Sequence, residues 1–305
     1  TGIRVPLISR GHLDPYRMWL SKSSTSSGGL GIRPVNAVSG VAAGNTSEEA
    51  NLFYQEYVDG VSMSAIFVGS NKTCRLTGTS LQLNGWTCLG ASGFQFCGNA
   101  GSVQLPQHLQ TQLLSAGNAF RSLGLRGVFG MDFVLRNGEL WFLEVNPRLT
   151  ASHMLYDATK ATSTLFLQHL NSLGYCSARA TRRRQSPLST EQPEAVIRLV
   201  VWSQRELSVG RRLSESTWHI SETCRLCDIP ELDSIIPAAS PVCSIEFRGA
   251  TLQNVIQEVA GLQERRRLRF LCNWSAVADA LTSLSRRFEA NIVRERRQNP
   301  GRRRS

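Results

Sequence analysis

Two carboxylates and a carboxamide crowd one stretch of this chain, GMDFVLRNGELWFLEVNPRLTAS, as Asp132, Glu144 and Asn146. Hard oxygen donors in this number suit Mg2+, which takes one or two carboxylates together with water and substrate phosphate oxygens. Asn137-Gly138 stands between two apolar runs, residues 127–135 and 139–145, the strongest short signal for a β-hairpin. Such a hairpin sets position 132 opposite about position 143, beside Glu144. Glu144 and Asn146, two apart, project to the same side of the second strand. Phe133, Val134, Trp141, Phe142, Leu143 and Val145 mark these as core strands, where an unpaired carboxylate is costly. A plainer reading stays open here, with Glu144 paired to Arg148 and Asp132 capping a turn.

Upstream, Lys22 is one of three lysines (with Lys72 and Lys160) among 34 basic residues. It follows an apolar run at 16–20 that fits a strand. It precedes a Ser/Gly stretch at 23–32, which reads as a loop. Residues 51–58 read as a buried strand ended by Asp59-Gly60, and 62–68 and 73–80 as paired strands about a turn at 69–72. Residues 105–123 carry Leu109, Leu113, Ala116 and Phe120 at helical spacing, with Gly124 as the stop. A second helix is expected over 150–173, capped by Ser152 or a neighbour. Beyond a basic linker at 178–193 come a strand at 195–202, short strands within 235–247, and helices at 251–262 and 274–290. From Asn291 on, composition favours a frayed end.

The bulk numbers narrow the function classes. At 305 residues with 41% hydrophobic and 19% charged residues the chain is in the globular range, and it has no apolar run long enough to span a membrane. Eight scattered cysteines read as reduced thiols and hence as cytoplasmic. Cys224 and Cys227 have the spacing of half a zinc site with no second half, so chance spacing is the better reading. The net charge of +11 is concentrated in arginine runs without interleaved aromatics, which argues against nucleic acid as the partner.

The hairpin from Gly130 to Ser152, with its twelve-residue step from Asp132 to Glu144, resembles that of the ATP-grasp superfamily. Tyr16 to Ile32 resembles the family's strand, lysine and glycine-rich loop, and Gln55-Glu56-Tyr57-Val58-Asp59-Gly60 its hinge strand. The resemblance implies ATP and Mg2+ as cofactors, with Mn2+ as an alternative ion. Asp132, Glu144 and Asn146 would hold the metal, and Lys22, Gly28, Gly29 and Gly31 would meet the phosphates. Gln55, Glu56, Tyr57 and Val58 would line the base, and Arg148 would face the transferred phosphoryl group. Ser62 stands where several members place a ribose-binding acid. The residues around Asp228 and Pro241 look similar to β-rich segments of the biotin-carboxylase-related branch, with a fainter likeness to ligases of one-carbon cofactor (methanofuran/methanopterin) pathways.

The implied fold is α+β: an ATP-grasp small lobe at 1–60, a large lobe with the metal hairpin at 61–176, a basic linker at 177–193, a β-rich segment at 194–250, and a helical, basic tail at 251–305. The implied reaction joins a small-molecule carboxylate to an amine through an acyl phosphate. The family's usual N-terminal α/β domain is expected to be missing here. Either the chain is a fragment, a partner subunit or second copy completes the site, or the protein binds nucleotide without catalysis.

Overall fold

Strands that bury both faces need apolar residues at nearly every position, and residues 61–69 (VSMSAIFVG) have them. The computed structural model describes residues 2–35, 51–157, 165–175, 195–214, 220–264 and 271–298. Strands β1 (Ile8–Ser9), β2 (Trp19–Ser23), β3 (Arg33–Val35) and β4 (Leu52–Glu56) form a small antiparallel sheet in the order β1-β4-β2-β3. There follow β5 (Val61–Gly69), β6 (Cys74–Asn84), β7 (Phe96–Val103), helix α1 (Gln107–Ser122), β8 (Gly127–Arg136) and β9 (Glu139–Asn146). Next come α2 (Met154–Asp157), α3 (Leu165–Ser172), β10 (Ala195–Trp202), β11 (Leu207–Ser208), α4 (Arg211–Ser214) and β12 (Cys224–Cys227). The last elements are β13 (Ile235–Ile236), β14 (Pro241–Gly249), α5 (Leu252–Gly261) and α6 (Trp274–Gln298).

The main sheet has eight antiparallel strands in the order β12-β14-β10-β7-β6-β5-β8-β9. The strands of the C-terminal third therefore extend the hairpin's own sheet, through the β7–β10 ladder. Met63, Phe67, Phe129 and Phe133 lie in one buried core with Leu109 and Leu113 of α1. Gly117 lets that helix approach, because a Cβ there would sit 2.7 Å from the Phe67 ring. On the other face Ile66 and Val128 pack with Leu165 of α3. Burying both faces places any side chain on β5 or β8 in a defined environment, including the polar ones.

Several elements differ from the sequence expectation, each for a local reason. The strand expected at 16–20 begins at Trp19, because Asp14 accepts from the Tyr16 N–H (2.9 Å) and turns the chain there; Lys22 thus lies inside β2. β7 (FCGNAGSV) has weak strand propensity and no apolar alternation, so it is invisible to a pattern reading. Its Gly98 (φ +142°) exists for close approach: a Cβ would stand 2.2 Å from the Arg198 carbonyl oxygen of β10. The helix expected over 150–173 is a 3-10 turn (Ala151–His153), α2 and α3, with 158–164 outside the described residues. Ser152 caps nothing; its hydroxyl is buried and accepts from Ser64 (3.2 Å). The last helix runs past the expected Ala290 to Gln298, and Asn291 on it accepts from the Asn137 N–H at the hairpin tip (2.8 Å). Cys224 and Cys227 are three apart on a strand, so their side chains leave on opposite faces and share no metal. The basic linker at 177–193 lies outside the described residues.

Among the described residues no helix is long and apolar enough to cross a membrane. The β7–β10 junction yields a stability prediction. Gly98→Ala strains the backbone and pushes β10 away, and should cost about 3 kcal/mol or more of unfolding free energy. Urea denaturation measures it; a change under about 1 kcal/mol would show that the close approach is not needed.

Candidate functional site

The turn between β8 and β9 holds Asn137 at φ 51° and Gly138 at φ 79°, the doubly left-handed geometry of a tight hairpin. Counting back from it, Phe133 faces Phe142, but Asp132 faces Glu144. Leu143 is the extra residue of a β-bulge. Without the bulge, Asp132 would sit opposite Leu143 and Glu144 would point to the other face. With it, Asp132, Glu144 and Asn146 share one face of the sheet.

Their polar atoms meet. Asn146 Nδ2 donates to Asp132 Oδ2 (3.1 Å) and reaches Glu144 Oε1 (3.4 Å). One oxygen from each carboxylate therefore converges on a single atom, the place a cation would take. Rotating the Asn146 amide brings its own oxygen toward the same point, since the two ends are nearly isosteric. The donor set fits Mg2+ on this observation. Among the described residues no group of three His, Cys, Asp or Glu is placed to hold a metal, so water or phosphate oxygens would complete any coordination shell.

Electrostatics points the same way. Burial, then the nearby Glu144 charge, pushes the Asp132 carboxyl up to about 7, against the amides of Asn146 and Gln82. Lys22, from the small sheet, has its ammonium pKa lowered by burial while Glu144 and Asp132 pull it back up. A cation from one sheet thus lies within the field of two carboxylates on the other.

The other expected residues are placed as follows. Gly28, Gly29 and Gly31 all adopt positive φ, and the loop they form rests on the chain before β7. Gly28 accepts from the Phe96 N–H (2.9 Å), and a Cβ on Gly29 would stand 1.8 Å from the Phe94 oxygen. Tyr57 meets the Phe94 ring edge-on at 6.3 Å, so the glycine loop and the end of β4 share an aromatic neighbour. Gln55 and Val58 are buried. Glu56 is already engaged: its carboxylate pairs with Arg17 and accepts from the Leu7 N–H (3.2 Å). Arg148 is exposed, makes no ion pair with Glu144, and donates to the Leu149 carbonyl (3.2 Å). The plainer pairing of Glu144 with Arg148 is therefore not formed.

Sequence reading missed the residues that continue this face. Directly paired residues of antiparallel strands share a side. Glu144, Asp132, Ser64 and Ser80 form one row, and Gln82, Asn99, Arg198, Glu246 and Arg225 carry it to the far edge. Gln82 Nε2 donates to Asp132 Oδ1 (2.7 Å). Glu246, buried at 1% exposure, takes Arg225 (2.9 Å) and Arg248 (2.6 Å), while Arg198 pairs with Asp228 (2.7 Å). An even charge pattern on a strand whose partners are unknown gives no sign of such a row.

Residues 2–152 match the sequence profile of the ATP-grasp domain. The chain belongs to the ATP-grasp superfamily. The match starts well before Tyr16, in keeping with Arg4, which bridges to Trp141 on β9. No curated protein matches the chain. Among solved structures, the biotin carboxylase domain of Hydrogenobacter thermophilus 2-oxoglutarate carboxylase, in complex with MgADP, ADP and bicarbonate, is similar at 14% identity and TM-score 0.59; the match covers 86% of this chain and 62% of that one. Phosphoribosylglycinamide synthetase from Anaerococcus prevotii is similar at 11% identity and TM-score 0.60, covering 86% and 69%. N5-carboxyaminoimidazole ribonucleotide synthetase from Thermus thermophilus gives 16% identity and TM-score 0.57, covering 86% and 68%. This chain thus spans under two thirds of the first of these, and the likeness establishes the ATP-grasp fold.

The raised Asp132 pKa fixes a pH dependence. An unfolded Asp ionises near 4, the folded one near 7, so the folded state holds the extra proton between them and loses stability as pH rises across that window. Asp132→Asn, which does not titrate, should gain in melting temperature relative to wild type between pH 5 and pH 8, measured in chelator. An equal difference at both pH values would refute the shift.

Proposed function

We propose that this ATP-grasp domain binds ATP with Mg2+ and uses it to activate a carboxylate for attack by an amine. The observation that carries this reading is the convergence of Asp132 Oδ2 and Glu144 Oε1 on one point, with Lys22 across from them. A nucleoside triphosphate brings several negative charges that need compensation, and a lysine facing a divalent cation site supplies it. When bound, Mg2+ neutralises phosphate charge. The chain's own residues do the positioning. Asp132 and Glu144, with the Asn146 amide, hold the metal, and Lys22 takes a phosphate oxygen as a point charge. The N–H groups of the Gly28–Gly31 loop face the phosphates. The hinge from Gln55 to Val58 lines the base, with the Tyr57 and Phe94 rings beside it.

In the proposed reaction the γ-phosphoryl group moves to a carboxylate oxygen, the bond to the β-phosphate oxygen breaks, and ADP leaves. The amine then attacks the acyl phosphate carbon, phosphate departs, and the amine loses a proton. Arg148, exposed at the end of β9, is assigned to the negative charge of the phosphoryl group or the acceptor. The names of the similar structures, a biotin carboxylase domain and two synthetases, support the carboxylate–amine ligase class. Small-molecule carboxylate and amine substrates, a supplementing subunit or second copy, and a cytoplasmic location belong to the same proposal.

Glu144→Ala should weaken Mg-ATP binding at least about tenfold, about 1.4 kcal/mol, with an unchanged circular dichroism spectrum. Calorimetric titration decides it, and unaltered affinity removes Glu144 from the metal site. Release of ADP and phosphate by the wild-type protein with a panel of carboxylates and amines tests the ligase class. Tight Mg-ATP binding with no turnover across the panel would favour a nucleotide-binding protein instead.

A further inference from the structure

We infer that Gln82 is a positioning residue for the metal site, setting the orientation of the Asp132 carboxylate through a direct hydrogen bond. The inference rests on the metal reading proposed above and adds to it a residue from a different strand.

A carboxylate bound to Mg2+ must offer one oxygen at a defined angle, because the ion tolerates little departure from octahedral geometry. The last torsion of an aspartate is broad, so the side chain does not fix that angle by itself. In this site both oxygens of Asp132 are claimed, each by one amide. Oδ2 accepts from Asn146 at 3.1 Å and faces the point shared with Glu144. Oδ1 accepts from Gln82 Nε2 at 2.7 Å, the shorter contact, and is turned toward β6. When a cation displaces the Asn146 N–H, Gln82 is the partner that remains.

The geometry that allows this is specific. Gln82 is on β6 and Asp132 on β8, with β5 between them, a separation of about 10 Å across two strand spacings. Only a long side chain crosses that gap, and only if the intervening residue is small. The residue paired with Asp132 on β5 is Ser64, whose hydroxyl bonds to Ser80 (3.3 Å) and Ser152 (3.2 Å). Asn99, next in the row, donates to Ser80 (3.4 Å) and the Leu81 carbonyl (3.3 Å), which leaves the Gln82 amide for Asp132. Ligand orientation by an outer hydrogen-bond partner typically contributes 10–100-fold in metal affinity.

The test is Mn2+ binding with ATP at pH 8, followed by electron paramagnetic resonance, for wild type, Gln82→Met, Asp132→Asn and the double variant. Methionine keeps the length and volume of Gln82 and removes the donor; Gln82→Ala is the second variant if Met perturbs folding. Gln82→Met should bind Mn2+ about 10–100-fold more weakly than wild type. Its melting temperature in chelator should stay within a few degrees of wild type. In the Asp132→Asn background the same substitution should have little further effect, because its route runs through Asp132. Equal Mn2+ affinity in wild type and Gln82→Met overturns the inference while leaving the metal site standing. So does an undiminished Gln82→Met effect on top of Asp132→Asn. A wild-type protein that binds no Mn2+ would overturn the metal site itself, and the Gln82 role with it.

Discussion

A single extra residue in one strand decides whether this protein has a site. Leu143 bulges out of β9, so Glu144 stands opposite Asp132 and both carboxylates reach the same face of the sheet. Two like charges so close are unfavourable unless something lies between them. The Asn146 amide takes that position, bonded to both, and the Asp132 pKa is raised first by burial and then by the Glu144 charge. Glu144 is exposed and Asp132 is the more buried of the two, so the repulsion falls chiefly on Asp132, and a cation between the two carboxylates would offset it.

Everything around the pair restricts its motion. Burial of both faces of β5 and β8 fixes the strand that carries Asp132, and Asn291 of the last helix takes the free N–H at the hairpin tip. The small sheet holds Lys22 partly buried within the field of both carboxylates. The glycine loop follows because Gly29 can press its backbone against Phe94, where any Cβ would collide. Across the main sheet the polar row ends in buried Glu246 among arginines, so a single face joins the Asp132–Glu144 pair to a charged cluster on the C-terminal strands.

The hairpin was legible because Asn-Gly and the alternation of apolar residues are local signals, and the turn falls on those two residues. The bulge was not legible. A one-residue slip depends on how Leu143 packs against the rest of the fold, and the sequence reading placed 132 opposite about 143. β7 was missed for a related reason: its glycines serve a close contact with β10, a long-range fact that lowers local propensity. Gln82 and Arg198 were missed because they look like ordinary polar residues until the strand order brings them beside Asp132 and Glu246. The Arg17 partner of Glu56 was likewise not legible, because the turn at Asp14 brings it near. Residues that type and spacing single out were legible, and those whose contacts follow from strand order were not.

The central claim is that Asp132 and Glu144 share one divalent cation. A crystal structure with Mn2+ and a non-hydrolysable ATP analogue, with anomalous data at the manganese edge, tests it directly. The expected result is a manganese peak at about 2.1–2.3 Å from Asp132 Oδ2 and Glu144 Oε1, with phosphate oxygens completing its shell. A nucleotide bound with its manganese elsewhere, or no manganese between these two side chains, would contradict it.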